Sequence, residues 1–197
     1  MNKCRCPWLD ESKPDYVKYH DEEWGLPVKE DQKLFEFLVL ESAQAGLSWY
    51  TILKRREHYR TAFANYDVNT VSQFTEDDVE KLMLNNGIIR NRKKIEAAIN
   101  NASRFIEIQQ EFGSFANYQW SFVGNKTIVN APKQLSDYPA TTEVSDKLAK
   151  DMKKRGFKFL GSTTIYAHMQ ACGMVNDHSV DCFRRKQIID LFQQEIA

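Results

Sequence analysis

LAKDMKKRGFKFLGSTTIYAHMQA, residues 148–171, reads as helix, glycine-bounded turn, helix. Gly156 and Gly161 bound a short hairpin; Ser145 caps the helix before it and Ser162 opens the helix after it. Backbone N–H groups in such a turn, with the positive end of the second helix, bind a phosphate. Lys153, Lys154, Arg155 and Lys158 surround the turn with positive charge. That is the chemistry of a sequence-independent grip on a nucleic-acid backbone. Glycine is common between paired helices, so the stretch alone specifies a helical pair more firmly than a ligand.

Just downstream, VNDHSVDC (175–182) places His178 and Cys182 four residues apart, close enough for both to reach one ion. The other half of such a site lies at the far end of the chain. CRCPW (4–8) supplies a cysteine, Cys4 or Cys6, and YHDEEWG (19–25) supplies His20. Two cysteines and two histidines form a closed tetrahedral zinc set with no position for substrate, which is a structural site. Such a clamp would restrain a very long loop and favour the folded state. Cys172, in the apolar helix YAHMQAC, reads instead as a small core residue.

Helical periodicity runs through the rest of the chain. Residues 31–45, DQKLFEFLVLESAQA, are apolar on most sides and form a central helix that Gly46 ends. Ser48 caps a helix over 48–63, Thr75 with Asp78 forms a capping box, and 85–87 (NNG) is a turn. A long helix over 90–112 stops at Gly113, 124–142 is a turn-rich ordered loop, and 183–197 forms a last helix. KTIV (126–129) is the sole candidate strand, so the class is all-α.

Three features of this frame carry chemistry. Trp8, Tyr16, Tyr19 and Trp24 crowd a loop-like stretch punctuated by Pro7, Pro14, Gly25 and Pro27, with Trp49 further on; aromatics on loops line pockets that stack flat rings. Glu41 shares a helix face with Leu34, Leu38 and Ala45, and a carboxylate on an apolar stripe needs either a partner or a task. Leu47 sits at the tip of QAGLSW (44–49), either stapled onto Ile52 or offered as an apolar wedge to a base stack.

The 197 residues suffice for one compact domain or two small lobes, and 42% hydrophobic with 27% charged content is ordinary for a soluble protein. Net charge is zero, so overall charge advertises no acidic partner, although basic runs recur at 54–60, 90–94, 150–158 and 184–186. Runs of this kind ordinarily mark solvated helix faces. No apolar run reaches the roughly 20 residues that span a bilayer, and MNKCRCPWLDESK has no hydrophobic signal core, so a cytoplasmic location is expected.

Together the segments resemble the bacterial 3-methyladenine DNA glycosylase I family of the helix-hairpin-helix superfamily. The matching pieces are C-P-W (6–8), Y-x-x-Y-H-D-x-E-W-G (16–25), L-E-S-x-Q-A-G-L-S-W (40–49), G-I-I-R-N-R-x-K-I (87–95), K-K-R-G-F-K-F-L-G-S-T (153–163) and M-Q-A-C-G-M-V-N-D-H (169–178). The resemblance implies a single helix-hairpin-helix glycosylase domain over 1–197. One helical lobe is built from 1–48 and about 140–197, a second from about 49–139, and the hairpin is 154–161. It implies one structural zinc on Cys6, His20, His178 and Cys182, with Cys6 chosen because it directly precedes Pro-Trp. It places the base pocket at Glu41, Tyr16, Tyr19, Trp24 and Trp49 with Trp8 nearby, and the intercalating turn at Gln44, Gly46 and Leu47. It places the backbone grip at Lys154, Arg155, Gly156, Lys158, Gly161, Ser162 and Thr163.

The implied reaction is hydrolysis of the N-glycosidic bond of 3-methyladenine in double-stranded DNA, leaving an abasic site and the free base, by a monomer with Glu41 as its catalytic and recognition residue. Asn176 falls near the place where superfamily relatives carry an aspartate, and Asp177 adjoins a zinc ligand. No lysine is placed to form a Schiff base, so no strand cleavage is expected. Two other classes are distinguishable. A zinc-stabilised binding module would need no buried carboxylate in an aromatic pocket, and a zinc hydrolase would need an open coordination position.

Overall fold

The computed structural model describes residues 3–194. Pro14 opens the first helix, α1 (Pro14–Glu22), where its missing N–H leaves no bond unmade. The stretch from Trp8 to Trp24, expected to be loop-like, is therefore largely helical: Pro14 punctuates it by starting α1. A second helix, α2 (Asp31–Gln44), runs through the centre with every residue from Leu34 to Ala43 buried. Gly46 follows it at φ +82°, the left-handed conformation that ends helices.

The helix expected over 48–63 is two, α3 (Trp49–Leu53) and α4 (Arg56–Ala62). Ser48 caps α3, accepting from the Thr51 N–H. The break falls at Lys54 and Arg55, where the Arg55 guanidinium donates to the Thr51 carbonyl at 3.0 Å. The redirected α4 brings Arg56 to Glu36 at 2.6 Å and to Glu23 at 2.7 Å. Arg56 and Arg60 of that basic run are thus spent on internal ion pairs.

Helix α5 (Val68–Ser72) and α6 (Glu76–Leu84) follow, the latter opened by Asp78 accepting from the Thr75 N–H. The long α7 (Arg92–Phe112) starts after Asn91, which caps it, and stops at Gly113, φ +82°. Its buried stripe Ile95, Ala98, Ala102, Phe105 and Ile108 packs against α2 and α5. Next, α8 (Phe115–Ser121) is held at its start by Asp31, whose carboxylate accepts from the Phe115 and Ala116 N–H groups at 2.9 Å each.

Residues 124–142 contain a two-residue strand, β1 (Ile128–Val129), which pairs in parallel with β2 (Val175–Asn176). The second strand was not expected; it is too short to carry a period of its own. Helix α9 (Glu143–Lys154) begins one turn earlier than expected, with Thr142 as cap and Ser145 as the return partner of its capping box. It packs against α10 (Ser162–Ala171) across the turn 155–161, and α10 packs on α2. The last helix is α11 (Phe183–Gln194); the remainder of the helix expected over 183–197 lies outside the described residues.

Between α10 and β2, Gly173 (φ +73°) lies so close to the N-terminal segment that an added Cβ would sit 2.4 Å from the Leu26 carbonyl carbon. The Val28 N–H donates to the Cys172 carbonyl, and the Phe183 N–H donates to the Cys4 carbonyl. The N-terminal segment is thereby laid along the C-terminal one. Among the described residues no helix is long and apolar enough to cross a membrane.

Candidate functional site

The two halves of the Cys/His set meet. Cys6 from the N-terminal segment, His20 from α1, His178 after β2 and Cys182 before α11 are all buried, and their ligand atoms lie within 4.8 Å of one another. Cys6 Sγ is 3.4 Å and Cys182 Sγ 3.3 Å from His178 Nδ1, and Cys182 Sγ is 3.6 Å from His20 Nε2. The outward nitrogens have partners: His20 Nδ1 is 2.8 Å from the Asp21 carboxylate and His178 Nε2 is 3.0 Å from the Trp24 carbonyl. These contacts fix each ring with the nitrogen facing the cluster free to ligate. Cys182 is drawn down in pKa by its hydrogen bond with Cys6, and Cys6 is pushed up by the same contact. Two sulfurs and two imidazole nitrogens converging in a buried space can hold a metal ion. Cys4 is exposed and outside the cluster.

The pocket abuts this cluster. Trp8 packs edge-on to His20 at 5.3 Å and Trp24 edge-on to His178 at 4.7 Å, so the ligand rings support the pocket rings. Trp8, Tyr16, Tyr19, Trp24, Glu41, Gln44 and Trp49 line a cavity of about 290 Å³, a size suited to a small planar ligand. All six residues expected to form the base pocket, and Gln44, are thus brought together. Its other walls are Leu135, Tyr138 and Pro139 from the 124–142 loop, and Ala167 and Gln170 from α10. These were missed. Tyr138 beside Pro139 in a turn-rich stretch repeats the composition that singled out Trp8 to Trp24; Ala167 and Gln170 carry no such signal.

Two glutamates of α2 are buried, Glu36 at 2% and Glu41 at 4% exposure, and their surroundings are opposite. Glu36 accepts from Arg56, and has Arg60 at 3.1 Å and Lys33 at 3.0 Å. Glu41 Oε2 has no hydrogen-bond partner among the described residues, and burial pushes its carboxyl up to about 8. Trp8 Nε1, Trp49 Nε1 and Tyr138 Oη are likewise buried without partners. Burial, then the Glu41 charge, raises Tyr16 to about 12 and lifts Tyr19 well above its ordinary value. The cavity therefore presents neutral phenols, indole N–H groups and one carboxyl, with the polar atoms left for a ligand to satisfy.

Asn176 and Asp177 do not line this cavity. The Asp177 carboxylate is occupied by Tyr166 Oη at 2.6 Å, Asn130 Nδ2 at 2.6 Å and Gln170 Nε2 at 2.7 Å. Asn176 Nδ2 donates to the Arg185 carbonyl.

Two turns flank the pocket residues in sequence and structure. At 44–48 Gly46 has nothing within 4 Å of its missing Cβ, and Leu47 is 39% exposed while Ile52 is fully buried, so no staple hides Leu47. At 155–161 Gly156 (φ +89°) and Phe159 (φ +57°) turn the chain, and Phe159 is exposed. Gly161 takes the cap position of α10 at an ordinary φ of −71°. Lys154, Lys158 and Thr163 are exposed. Ser162 Oγ bonds Asp146 and Ser145. Arg155 is held by Glu111 and Asp151 over the rings of Phe112 and Tyr118, which draws its guanidinium toward the end of α7.

Comparison with known proteins agrees with this arrangement. The sequence model of the methyladenine glycosylase family matches residues 8–185. DNA-3-methyladenine glycosylase 1 of Escherichia coli (strain K12) is 48% identical over 178 residues, which are 90% of this chain and 95% of that protein. A solved structure of a 3-methyladenine DNA glycosylase I variant in complex with 3-methyladenine superposes with a TM-score of 0.89 at 38% identity, covering 94% of this chain and 98% of that one. A structure of the Staphylococcus aureus 3-methyladenine DNA glycosylase I superposes with a TM-score of 0.85 at 39% identity, covering 88% of this chain and 92% of that one. The chain belongs to the methyladenine glycosylase family.

Proposed function

We propose that this chain is a monofunctional DNA glycosylase that flips 3-methyladenine out of duplex DNA and hydrolyses its N-glycosidic bond. The observation that carries the reading is the contrast between Glu36 and Glu41: one buried carboxyl is saturated with cations, the other lines an aromatic cavity with its Oε2 unpartnered among the described residues. Methylation at N3 gives the ring a positive charge, which stacked aromatics favour over neutral adenine; the cation beside Glu41 also favours loss of the proton that burial holds there, so a carboxylate forms opposite the charged ring. As the bond breaks its electron pair passes to the ring, which leaves neutral, and water adds to the sugar carbon with loss of a proton. No lysine lines the cavity among the described residues, in keeping with hydrolysis without a covalent amine intermediate.

The unstacking cost of flipping is offset by stacking in the pocket and by grips elsewhere. Leu47, with Gln44 and Gly46, fills the gap left in the stack. The α9–turn–α10 unit serves as the helix-hairpin-helix, with Lys154, Lys158, Gly156, Gly161 and the start of α10 at Ser162 and Thr163 on the phosphates. Arg155 contributes by bracing the turn. Among the described residues, those up to 48 and from about 140 onward form one lobe and 49–139 the other, with the pocket between. The Cys/His set fits zinc, one per chain, and its four protein ligands close the coordination shell. When bound, the ion supplies a crosslink between the chain ends; Cys6, His20, His178 and Cys182 hold it. The enzyme acts as a cytoplasmic monomer.

The test is base release from methylated DNA by wild type and Glu41→Gln, with products identified by chromatography and duplex binding measured alongside. Wild type should release free 3-methyladenine, and the variant should lose about 100-fold or more in rate while binding duplex normally. Equal loss of release and binding would remove Glu41 from the chemistry. No release by DNA-binding wild type would leave a binding module.

A further inference from the structure

One face of α7 reaches both exposed turns. Asn101, only 3% exposed, pairs with both sides of Lys158: its Oδ1 accepts from the Lys158 N–H at 2.8 Å and its Nδ2 donates to the Lys158 carbonyl at 2.9 Å. Asn100 Nδ2 donates to the Gly156 carbonyl at 2.9 Å. This clamp imitates strand pairing on the residue just before Phe159, whose left-handed φ needs such support. Seven residues earlier, Lys94 Nζ donates to the Ala43 and Ala45 carbonyls at 2.9 and 2.6 Å. Those carbonyls are the open end of α2, immediately before Gly46 and Leu47.

Seven residues are two helical turns, about 10.5 Å along the axis and within about 20° of the same face. A single rigid helix holds both, at a fixed separation.

We infer that α7 is a strut that sets the spacing between the wedge turn 44–47 and the phosphate-gripping turn 156–161, with Lys94 and Asn101 as its pins. The inference rests on the glycosylase reading for the roles of the two turns. A rigid spacing lets both turns engage one duplex as a single bivalent grip. Pulling either pin converts that grip into two weakly coupled contacts. Neither pin lines the pocket, so binding of the free base should change little.

The experiment uses the full chain with its metal complement. Affinity is measured for duplex DNA carrying a stable abasic-site analogue, and for free 3-methyladenine by quenching of tryptophan fluorescence. Lys94→Met and Asn101→Ala should each weaken duplex binding about tenfold or more, with free-base affinity within about twofold of wild type. The double variant should lose less than the two single losses multiplied, because one missing pin already uncouples the turns. Lys94→Arg, still able to reach both carbonyls, should restore most of the loss. If Asn101→Ala does not fold, Asn100→Ala with Lys94→Met carries the test. Duplex binding equal to wild type in the pin variants overturns the strut, as does a parallel loss of free-base binding. Wild type that neither binds the duplex nor releases base overturns the glycosylase reading itself.

Discussion

The Glu41 carboxyl titrates near 8 in the folded protein because burial penalises its ionised form, against an ordinary value of 4.5. Below about pH 4.5 both the folded and unfolded chains hold the proton, and no difference arises. Between 4.5 and about 8 the unfolded chain is ionised and the folded one is not, so stability falls as pH rises, by about 1.4 kcal/mol per pH unit. Glu41→Gln removes that slope. Denaturant unfolding should find the variant more stable than wild type by several-fold more at pH 8 than at pH 5. Equal differences at both pH values would mean that Glu41 is ionised and partnered in the folded state. The residues with a chemical signature of their own were legible: a glutamate on an apolar stripe, two Cys/His pairs, clustered tryptophans. Tyr138 and Gln170 were not, because membership of the pocket depends on where a loop without periodicity settles and how α10 meets α2. The pins on α7 were equally hidden, since Asn101 and Lys94 bind backbone that is remote in sequence.

At the scale of elements, the most exposed dependence is that of α8 on Asp31. This carboxylate opens α2, yet it accepts from the Phe115 and Ala116 N–H groups and from Gln109 Nε2. Asp31→Ala leaves three donors without their acceptor, and should cost about 2–3 kcal/mol in denaturant unfolding, with faster amide exchange in the first turn of α8. Exchange unchanged there would show that Ser114 alone suffices as the cap. No sequence rule pairs residue 31 with residue 115, whereas the caps at Ser48, Thr75 and Gly113 act within a few residues and were read correctly. Helices α1, α5 and α8 were missed and the helix expected over 48–63 was split into α3 and α4; α5 and α8, at five and seven residues, are too short to carry a clear period. Proline marks a start as readily as a stop. A break made by Arg56 reaching Glu23 and Glu36 leaves no mark on local periodicity.

For the whole molecule, the Cys/His cluster joins segments more than 150 residues apart and props Trp8 and Trp24 against its histidines. Elemental analysis should find one zinc per chain. Stripping the ion, or replacing Cys182 by serine, should lower Tm by roughly 10 °C and weaken free-base binding as the pocket wall loosens. An unchanged Tm in the stripped protein would show that packing alone holds the ends. The all-α class was legible because long helices such as α2 and α7 carry their period openly; the parallel bridge between Ile128–Val129 and Val175–Asn176 was too short to announce itself. The same joining has a consequence in time. A ribosome delivers Cys6 and His20 before His178 and Cys182, so a growing chain carries half a ligand set while the more than 150 residues between them are made. Trp8 has its backing in His20 from the start, whereas Trp24 gains the support of His178 only near the end. A product interrupted before His178 would hold every residue that lines the cavity, yet lack two of the four ligands and the ring that supports Trp24.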